Sequence, residues 1–513
     1  MGEAIVRPKT ALQHITFIVP PVLVTGDNRF YIGRKGGPPL NIAYLAAITE
    51  KQNIDYDVVD GLESNRQWPF EELKGMSLLG LKIETIVERI PSHTETIAIT
   101  SMFTSEWLVV RKLARAIKEK FPGKMIIIGG EHATADAEQI IRFENDIDVV
   151  FKGESEISFE TFLQLQDIND LDQVPGIVFR RQNQVVVTKR SERITDLDFL
   201  RPSWKKINVD YYLDNKLSYS ELGRRTMPVI SSRGCPYKCT FCSNLNMWGT
   251  RYVTRSVDLV IEELRHYIEQ KQVEHFDFID LATSVNRPWF KQLLEKMISD
   301  LPPFSWEMTV GTRSEILDEE ILDLLYRSGS RVLSYAPETG SESMAKKIKK
   351  RINHGKMYSS MRAAVQRGFV VKANVVIGFP DESLRELLAT IWMSLKMGWI
   401  GVKGVTLLTY QPFLGTELSR ELYQENNYED YNRRVFNLSG REGAGVFNII
   451  DFFLHPKKQI YNLITNVVMV LSFFIACLKR PRELIKSISN ISQGKPIGAV
   501  EVAIHSIIAR SAS

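Results

Sequence analysis

Between residues 13 and 160, short runs rich in aliphatic and β-branched residues alternate with stretches whose apolar positions recur every three or four residues. The short runs, at His14–Pro20, Tyr56–Val59, Thr96–Thr100, Lys124–Ile128 and Asp148–Phe151, predict strands. The periodic stretches, at Leu40–Lys51, Glu106–Lys120 and Ala135–Phe143, predict helices. Strand and helix in alternation imply a parallel sheet covered by helices, a doubly wound, Rossmann-like α/β domain whose ligand lies beyond the carboxyl ends of the strands. Small-residue turns fall at those ends: Gly36-Gly37-Pro38-Pro39, Ser101, and Gly129-Gly130-Glu131-His132-Ala133-Thr134. Glycine in such a turn lets backbone approach a bulky ligand closely.

The pattern changes after residue 160. A short strand pair, Gly176–Arg180 and Gln184–Thr188, is followed by charged turns and Pro202-Ser203-Trp204, which reads as a linker, with Tyr211, Tyr212 and Tyr219 as interdomain packing. From Met227 the alternation resumes, with strands at Met227–Ser231, His275–Asp280, Trp306–Gly311, Arg331–Ala336, Val370–Ile377 and Gly404–Tyr410. A helical pattern follows each of these but the last. Near the end, Leu463–Leu478 is apolar for 16 residues except for Asn466 and small hydroxyls. A spanning helix wants about 20 apolar residues, so a buried or membrane-surface helix is expected. Lys479, Arg480 and Arg482 beside it suit an anionic membrane surface. Cys477 within it reads as a buried small hydrophobe. The expected organisation is a first domain over 1–165, a linker over 166–224, a second α/β domain over 225–420 and a mainly helical region over 421–513.

Composition narrows the class. The 513 residues suit two to four domains, and 25% charged with 44% hydrophobic residues is ordinary globular protein. A net charge of +4, with no basic patch interleaved with aromatics, gives no reason to expect nucleic acid. The opening M-G-E-A-I-V-R-P-K-T lacks the apolar stretch of a secretory signal, so a cytoplasmic setting is expected.

The chemistry is concentrated in one place. Three of the four cysteines, Cys235, Cys239 and Cys242, lie in S-S-R-G-C-P-Y-K-C-T-F-C-S. Three thiolates are an incomplete ligand set for a [4Fe–4S] cluster and leave one iron open. Structural zinc needs four ligands, and His266, the nearest candidate, is 24 residues on in a helical pattern. Zinc therefore receives about one chance in twenty. A chain of this length needs no disulfide framework.

The spacing C-x3-C-x2-C, with aromatic Phe241 before the last cysteine and a strand before the loop, resembles the cluster loop of the radical S-adenosylmethionine (SAM) superfamily. The resemblance implies an open (β/α)6, TIM-like barrel with active residues at the C-terminal ends of its strands. It also implies that the open iron chelates the amino and carboxylate groups of SAM, and that an electron from the cluster cleaves the sulfonium to a 5′-deoxyadenosyl radical. Pro337-Glu338-Thr339-Gly340-Ser341-Glu342 looks like the superfamily's P-E-[ST]-G-S-E segment, which gives Glu338 the ribose hydroxyls and Ser341 a place against the adenosyl group. Ser341 reads equally as a helix N-cap. Asn374–Glu382 resembles the G-x-I-x-G-x-P segment, with Asn374 in place of the first glycine; it implies Val376 and Ile377 on the adenine face and Gly378 beside them. Tyr410–Thr416 resembles a P-x-P-G-T closing turn, with Leu414 for the second proline. Related enzymes present polar residues to methionine or substrate where Asp280, Ser284 and Asn286 stand here. Arg313 reads as a partner of the SAM carboxylate or as a surface salt bridge.

The runs G-G-P-P-L-N-I-A-Y-L-A-A, I-I-G-G-E-H-A-T and D-V-V-F-K-G-E-S-E resemble the cobalamin-binding domain that precedes the cluster loop in one class of radical SAM enzymes. By that resemblance Thr100-Ser101 and Gly129-Gly130 lie against the corrin and nucleotide tail. The D-x-H-x-x-G histidine of other cobalamin domains has no counterpart in Pro20–Phe30, which implies cobalt without that protein imidazole, and His132 is given no metal role. The whole is similar to a cobalamin-dependent radical SAM enzyme that methylates an unactivated carbon. Cyclisation, rearrangement or hydrogen abstraction on the same scaffold is the alternative, and a cobalamin- or cluster-binding sensor is the non-enzymatic one. The implied partners are a small-molecule substrate, with a hydrophobic or lipid-like one hinted at by the apolar helix, a reducing donor such as flavodoxin or ferredoxin, and an optional peripheral membrane contact.

Overall fold

The structure is a computed structural model and describes residues 12–25, 36–199, 201–219, 223–310, 312, 317–420, 427–438, 456–492, 500–501 and 504–505. Its N-terminal sheet has seven strands in the spatial order Gln184–Val187, Ile177–Arg181, Val149–Phe151, Met125–Gly129, Thr96–Thr100, His14–Val19 and Asp55–Asp60. The last five are mutually parallel. Strand order reverses around His14–Val19, and in an open α/β sheet a ligand binds at such a switch point. Successive side chains leave opposite faces of a strand. Phe17 and Ile127 accordingly join one core, while Ile18, Ile126 and Ile128 join the other.

The hairpin placed in the linker by sequence belongs to this sheet. Ile177–Arg181 pairs antiparallel with Val149–Phe151, because Ile177, Val178 and Phe179 are apolar on both faces and fully buried there. A small antiparallel sheet of Val22–Thr25, Met76–Leu79 and Gln67–Pro69 has no counterpart in the sequence reading, since its strands are too short to show a period.

Six parallel strands form the second domain as two arcs. Thr226–Val229, His275–Phe278 and Ser305–Met308 make the first; Val332–Glu338, Val370–Ile377 and Gly404–Thr409 make the second. Single parallel bridges, Trp306 to Ser330 and Thr312 to Tyr335, join the arcs into one partial barrel. The sixth strand is covered by a helix distant in sequence: Pro456–Lys479 lies along Leu384–Ile400 and over Gly404–Thr409. The two helices meet backbone to backbone, since a Cβ on Gly398 would stand 2.5 Å from the Ser472 carbonyl oxygen.

Beyond residue 420 the described helices pack on both domains. Tyr428–Leu438 docks on the N-terminal domain: Trp107 Nε1 donates to the Tyr431 hydroxyl at 3.0 Å, and Arg434 pairs with Asp136 at 2.8 Å. Pro456–Lys479 packs on the barrel's outer wall, with Cys477 buried. Among the described residues, no single helix is long and apolar enough to cross a membrane.

Candidate functional site

The carboxyl ends of both sheets open into one cleft of about 530 Å³, lined from the N-terminal domain by Thr100, Gly129, Gly130 and Glu131, and from the barrel by Ser232, Arg233, Ser243 and Asp280. On the N-terminal side, Ser101, Gly129 and Gly130 come together: the Ser101 amide donates to the Gly129 carbonyl at 2.7 Å. Gly130 has φ of 127°, and a Cβ there would stand 2.4 Å from the Ser101 carbonyl oxygen, so the turn admits only glycine. Ser101 Oγ and Glu131 Oε1 are buried without a hydrogen-bond partner. Such atoms call for a polar ligand, and a small-residue cradle this wide suits the corrin and tail expected from the sequence. His132 turns away into the core, its ring tilted against Trp107 at 4.8 Å between centres, with Nδ1 at 3.2 Å from the Thr104 hydroxyl. Burial lowers its pKa to about 3.

Burial also pushes the Glu131 carboxyl up to about 7, a rise that the Ser243 hydroxyl partly offsets. Its folded pKa lies above its unfolded value of 4.5, so its contribution to stability is present below pH 4.5 and lost as pH rises through about 7. Glu131→Gln in cofactor-free protein should therefore melt higher than wild type at pH 8, by about 1–3 kcal/mol, and nearly together with it at pH 5. Thermal melts at the two values test this; parallel pH profiles for both proteins would show that Glu131 ionises freely.

On the barrel side, the cluster loop is held at its root by Asp280. Its Oδ1 accepts from the Ser231 amide at 3.0 Å, the Ser231 hydroxyl at 2.8 Å, the Ser232 hydroxyl at 2.6 Å and the Ser232 amide. Sequence had offered Asp280 to SAM or substrate; here it is a buried clamp, its pKa raised by burial against those hydrogen bonds. Gly234 follows with φ of 86°, and a Cβ would stand 2.0 Å from the Arg251 carbonyl oxygen. Cys235, Cys239 and Cys242 form no disulfide, and each is half-buried. Burial pushes the Cys242 thiol up to about 11, and Cys239 and Cys235 beside it add to the rise. Three close thiols in one loop, none used in a disulfide, fit three irons of a cluster, and metal ligation removes their protons. The loop is pinned from the far side as well: Thr240 N donates to Ile348 O at 3.1 Å, and the Phe241 ring lies 5.6 Å from Phe379.

The remaining expected residues divide. Glu338 sits at its strand end with φ of 61°, rare for a residue with a Cβ, and pairs with Lys350 at 2.9 Å. The charge of Lys350 also acts on the Cys242 thiol, lowering its pKa against the rise from burial; sequence gave no sign of it. Ser341 is the N-cap of Glu342–Lys347, accepting from Met344 N at 3.2 Å. Val376 and Ile377 cannot share one adenine face, because the strand sends them to opposite sides: Ile377 is fully buried in the main core, while Val376 stands with Phe241, Phe379 and Tyr410. Gly378 takes φ of 77°, and its amide donates to Glu382 Oε2 at 2.6 Å. Ser284 is buried, and Asn286 caps the helix Arg287–Asp300. Arg313 and residues 26–30 of the stretch after the first strand lie outside the described residues.

The two sides are tied by Arg233, a residue the sequence reading passed over. Its guanidinium meets Glu154 at 2.9 Å and Glu156 at 2.6 Å, both from the N-terminal domain, and lies over the rings of Tyr44 and Trp248. Glu154 also pairs with Arg193 at 2.8 Å. The signal was present in K-G-E-S-E and R-G-C, but nothing in either run says that they meet.

Comparison with known proteins agrees with this architecture. The model of the B12 binding domain matches residues 35–163, and that of the radical SAM superfamily matches residues 229–391. An uncharacterised methyltransferase of Pyrococcus horikoshii is 25% identical over 88% of this chain and 90% of its own. An anaerobic magnesium-protoporphyrin IX monomethyl ester cyclase of Synechocystis is 27% identical over 74% of this chain and 77% of its own. Among solved structures, that of the cobalamin-dependent SAM radical enzyme OxsB shares the fold, with a TM-score of 0.65, 14% identity, and coverage of 98% of this chain and 75% of that one. The first domain is thus a cobalamin domain, and the second takes a [4Fe–4S] cluster and SAM. The chain belongs to the radical SAM superfamily, among its members that carry a B12 binding domain ahead of the catalytic barrel.

Proposed function

We propose that the protein is a cobalamin-dependent radical SAM methyltransferase that acts on an unactivated carbon of a small molecule. One observation carries the reading: the Gly129-Gly130 turn and the root of the cluster loop face the same cleft, locked together by Arg233. When bound, the cluster supplies the electron that cleaves SAM, and cobalamin supplies the methyl group. In this reading Cys235, Cys239 and Cys242 hold three irons, and Asp280 fixes the loop that presents them. Glu338, with Lys350 beside it, takes the ribose hydroxyls. Val376 and Gly378 border the adenine, while Ser341 shapes the approach by capping the helix behind it. Ser101, Gly129 and Gly130 cradle the corrin side. A substrate radical made at the barrel mouth must meet the methyl donor before other groups quench it, which a fixed cleft between two cofactors achieves and a hinged pair of domains does not.

The Synechocystis relative keeps ring closure as a second reading, since a cyclase and a methyltransferase align with the same chain. A hydrophobic substrate, reduction by a flavodoxin or ferredoxin, and a cytoplasmic setting with peripheral membrane contact complete the proposal. Anaerobic reconstitution with iron, sulfide and hydroxocobalamin, followed by iron and cobalt counts on one sample, tests it. About four irons and one cobalt per chain are expected. Four irons without cobalt would remove the methyl donor and leave hydrogen abstraction.

A further inference from the structure

The barrel's outer wall carries an apolar face that nothing in the described chain covers. On the helix Leu384–Ile400, Leu384, Leu388, Trp392 and Trp399 are 71%, 55%, 69% and 63% exposed, at steps of four, four and seven that put them on one stripe. On Pro456–Lys479, Leu463, Val467, Leu471, Phe474 and Leu478 form a second exposed stripe, while Val468, Met469, Phe473, Ala476 and Cys477 point inward. The stripes adjoin, since Gly398 abuts Ser472 and the Lys479 ammonium lies 3.6 Å from the centre of the Trp399 ring. A third helix, Pro481–Ser492, turns by 118° and exposes Leu484, Ile485 and Ile488. Isolated exposed leucines are ordinary, but a contiguous face of this extent marks a docking surface.

Charge selects the occupant. Among side chains that the structure describes, these helices expose Arg385, Lys396, Lys479 and Lys486, with Arg480 between the last two donating to the Val365 carbonyl at 3.0 Å, against Glu386 alone. Glu386 is buried and engaged by Ser383 and Ser343, which takes its charge off the surface. Two copies of so basic a face repel, and the cores of protein interfaces are poor in lysine. Tryptophan and lysine around an apolar stripe are the residues that settle at a lipid headgroup boundary. Among the described residues no single helix is long and apolar enough to cross a membrane, and the 118° bend after Lys479 lets both segments lie along a bilayer surface.

We propose that this face docks the protein on an anionic lipid bilayer, with the two stripes in the headgroup layer and the lysines and arginines on lipid phosphates. The inference is independent of the reaction performed in the cleft. It bears on substrate delivery, because both helices start at the barrel mouth, where the Tyr461 ring covers Gly378.

Flotation of the full chain with vesicles tests it. Binding is expected to equimolar phosphatidylglycerol and phosphatidylcholine, at least about tenfold weaker to phosphatidylcholine alone, and to fall with added salt. Trp392→Ser with Trp399→Ser, and separately Lys396→Glu with Lys479→Glu, should each weaken flotation about tenfold with unchanged far-ultraviolet circular dichroism. All four side chains are exposed, so the folded state tolerates the changes. Wild-type protein that stays at the bottom with both vesicle types, or variants that float like wild type, would overturn the proposal. So would a wild-type dimer in light scattering that the tryptophan pair abolishes, since the face would then belong to a second copy.

Discussion

Cys242→Ser should purify as a folded protein that retains less than about one iron per chain after reconstitution and forms no 5′-deoxyadenosine from SAM. Cluster irons bind thiolate, and a serine hydroxyl neither loses its proton at neutral pH nor offers a soft donor. The cost to the fold is small because the loop's position does not depend on the sulfur. Asp280 holds its root through Ser231 and Ser232, Thr240 is bonded to Ile348, and Phe241 packs on Phe379. Cys477→Ser is the control: that residue is 3% exposed on the inward face of the outer helix, so the change should cost about 1 kcal/mol of stability and leave iron and SAM cleavage intact. Asp280→Asn falls between the two. Its amide oxygen can stand where Oδ1 does but is an uncharged and weaker acceptor, and its amide nitrogen cannot accept from the Ser231 amide as Oδ2 does at 3.2 Å, so partial iron loss with native-like circular dichroism is expected. Full iron and full cleavage in Cys242→Ser would remove the cluster from this loop and the proposed reaction with it.

Those residues differ in how readily sequence reveals them, for physical reasons. The cluster loop was legible because three thiols at fixed spacing have few competing explanations in a chain with four cysteines. The alternation of strands and helices was legible because burial on both faces leaves near-continuous apolar runs such as Thr96–Thr100. The opposite faces of Val376 and Ile377 follow from the period of two along their strand, a rule the motif comparison set aside. Asp280 could not be assigned, since its partners lie 48 and 49 residues away and an aspartate at a strand end serves a ligand or a turn equally well. Lys350 and Arg233 were silent because a charge in a loop looks solvated until its partners are seen. The helix that covers the sixth strand was hidden by distance along the chain, although its inward positions repeat regularly.

Arg233→Met should lower the melting temperature by roughly 5–10 °C at pH 8, with cobalamin retention falling further than iron content. The guanidinium is 7% exposed and faces Glu154 and Glu156, themselves 1% and 9% exposed, across the boundary between the two domains. Removing it leaves buried carboxylates short of a counter-charge, a loss of about 3–5 kcal/mol, and Arg193 on Glu154 puts this case toward the lower end. The sign with pH follows. Protonation removes the charge of a buried carboxylate that has lost Arg233, so acidification relieves the loss. The gap to wild type should then narrow on acidification. Adding Glu154→Gln and Glu156→Gln to Arg233→Met should restore part of the stability, since no buried charge at the boundary is left wanting Arg233. Cobalt and iron respond differently because Arg233 enters the cluster loop from its root, which Asp280 still holds, whereas the cobalamin cleft needs both walls. A single variant that melts with wild type at every pH would show that Arg233 is solvated, and the two domains would then have to be registered by Tyr431, Arg434 and the packing of Tyr219 on Gly37.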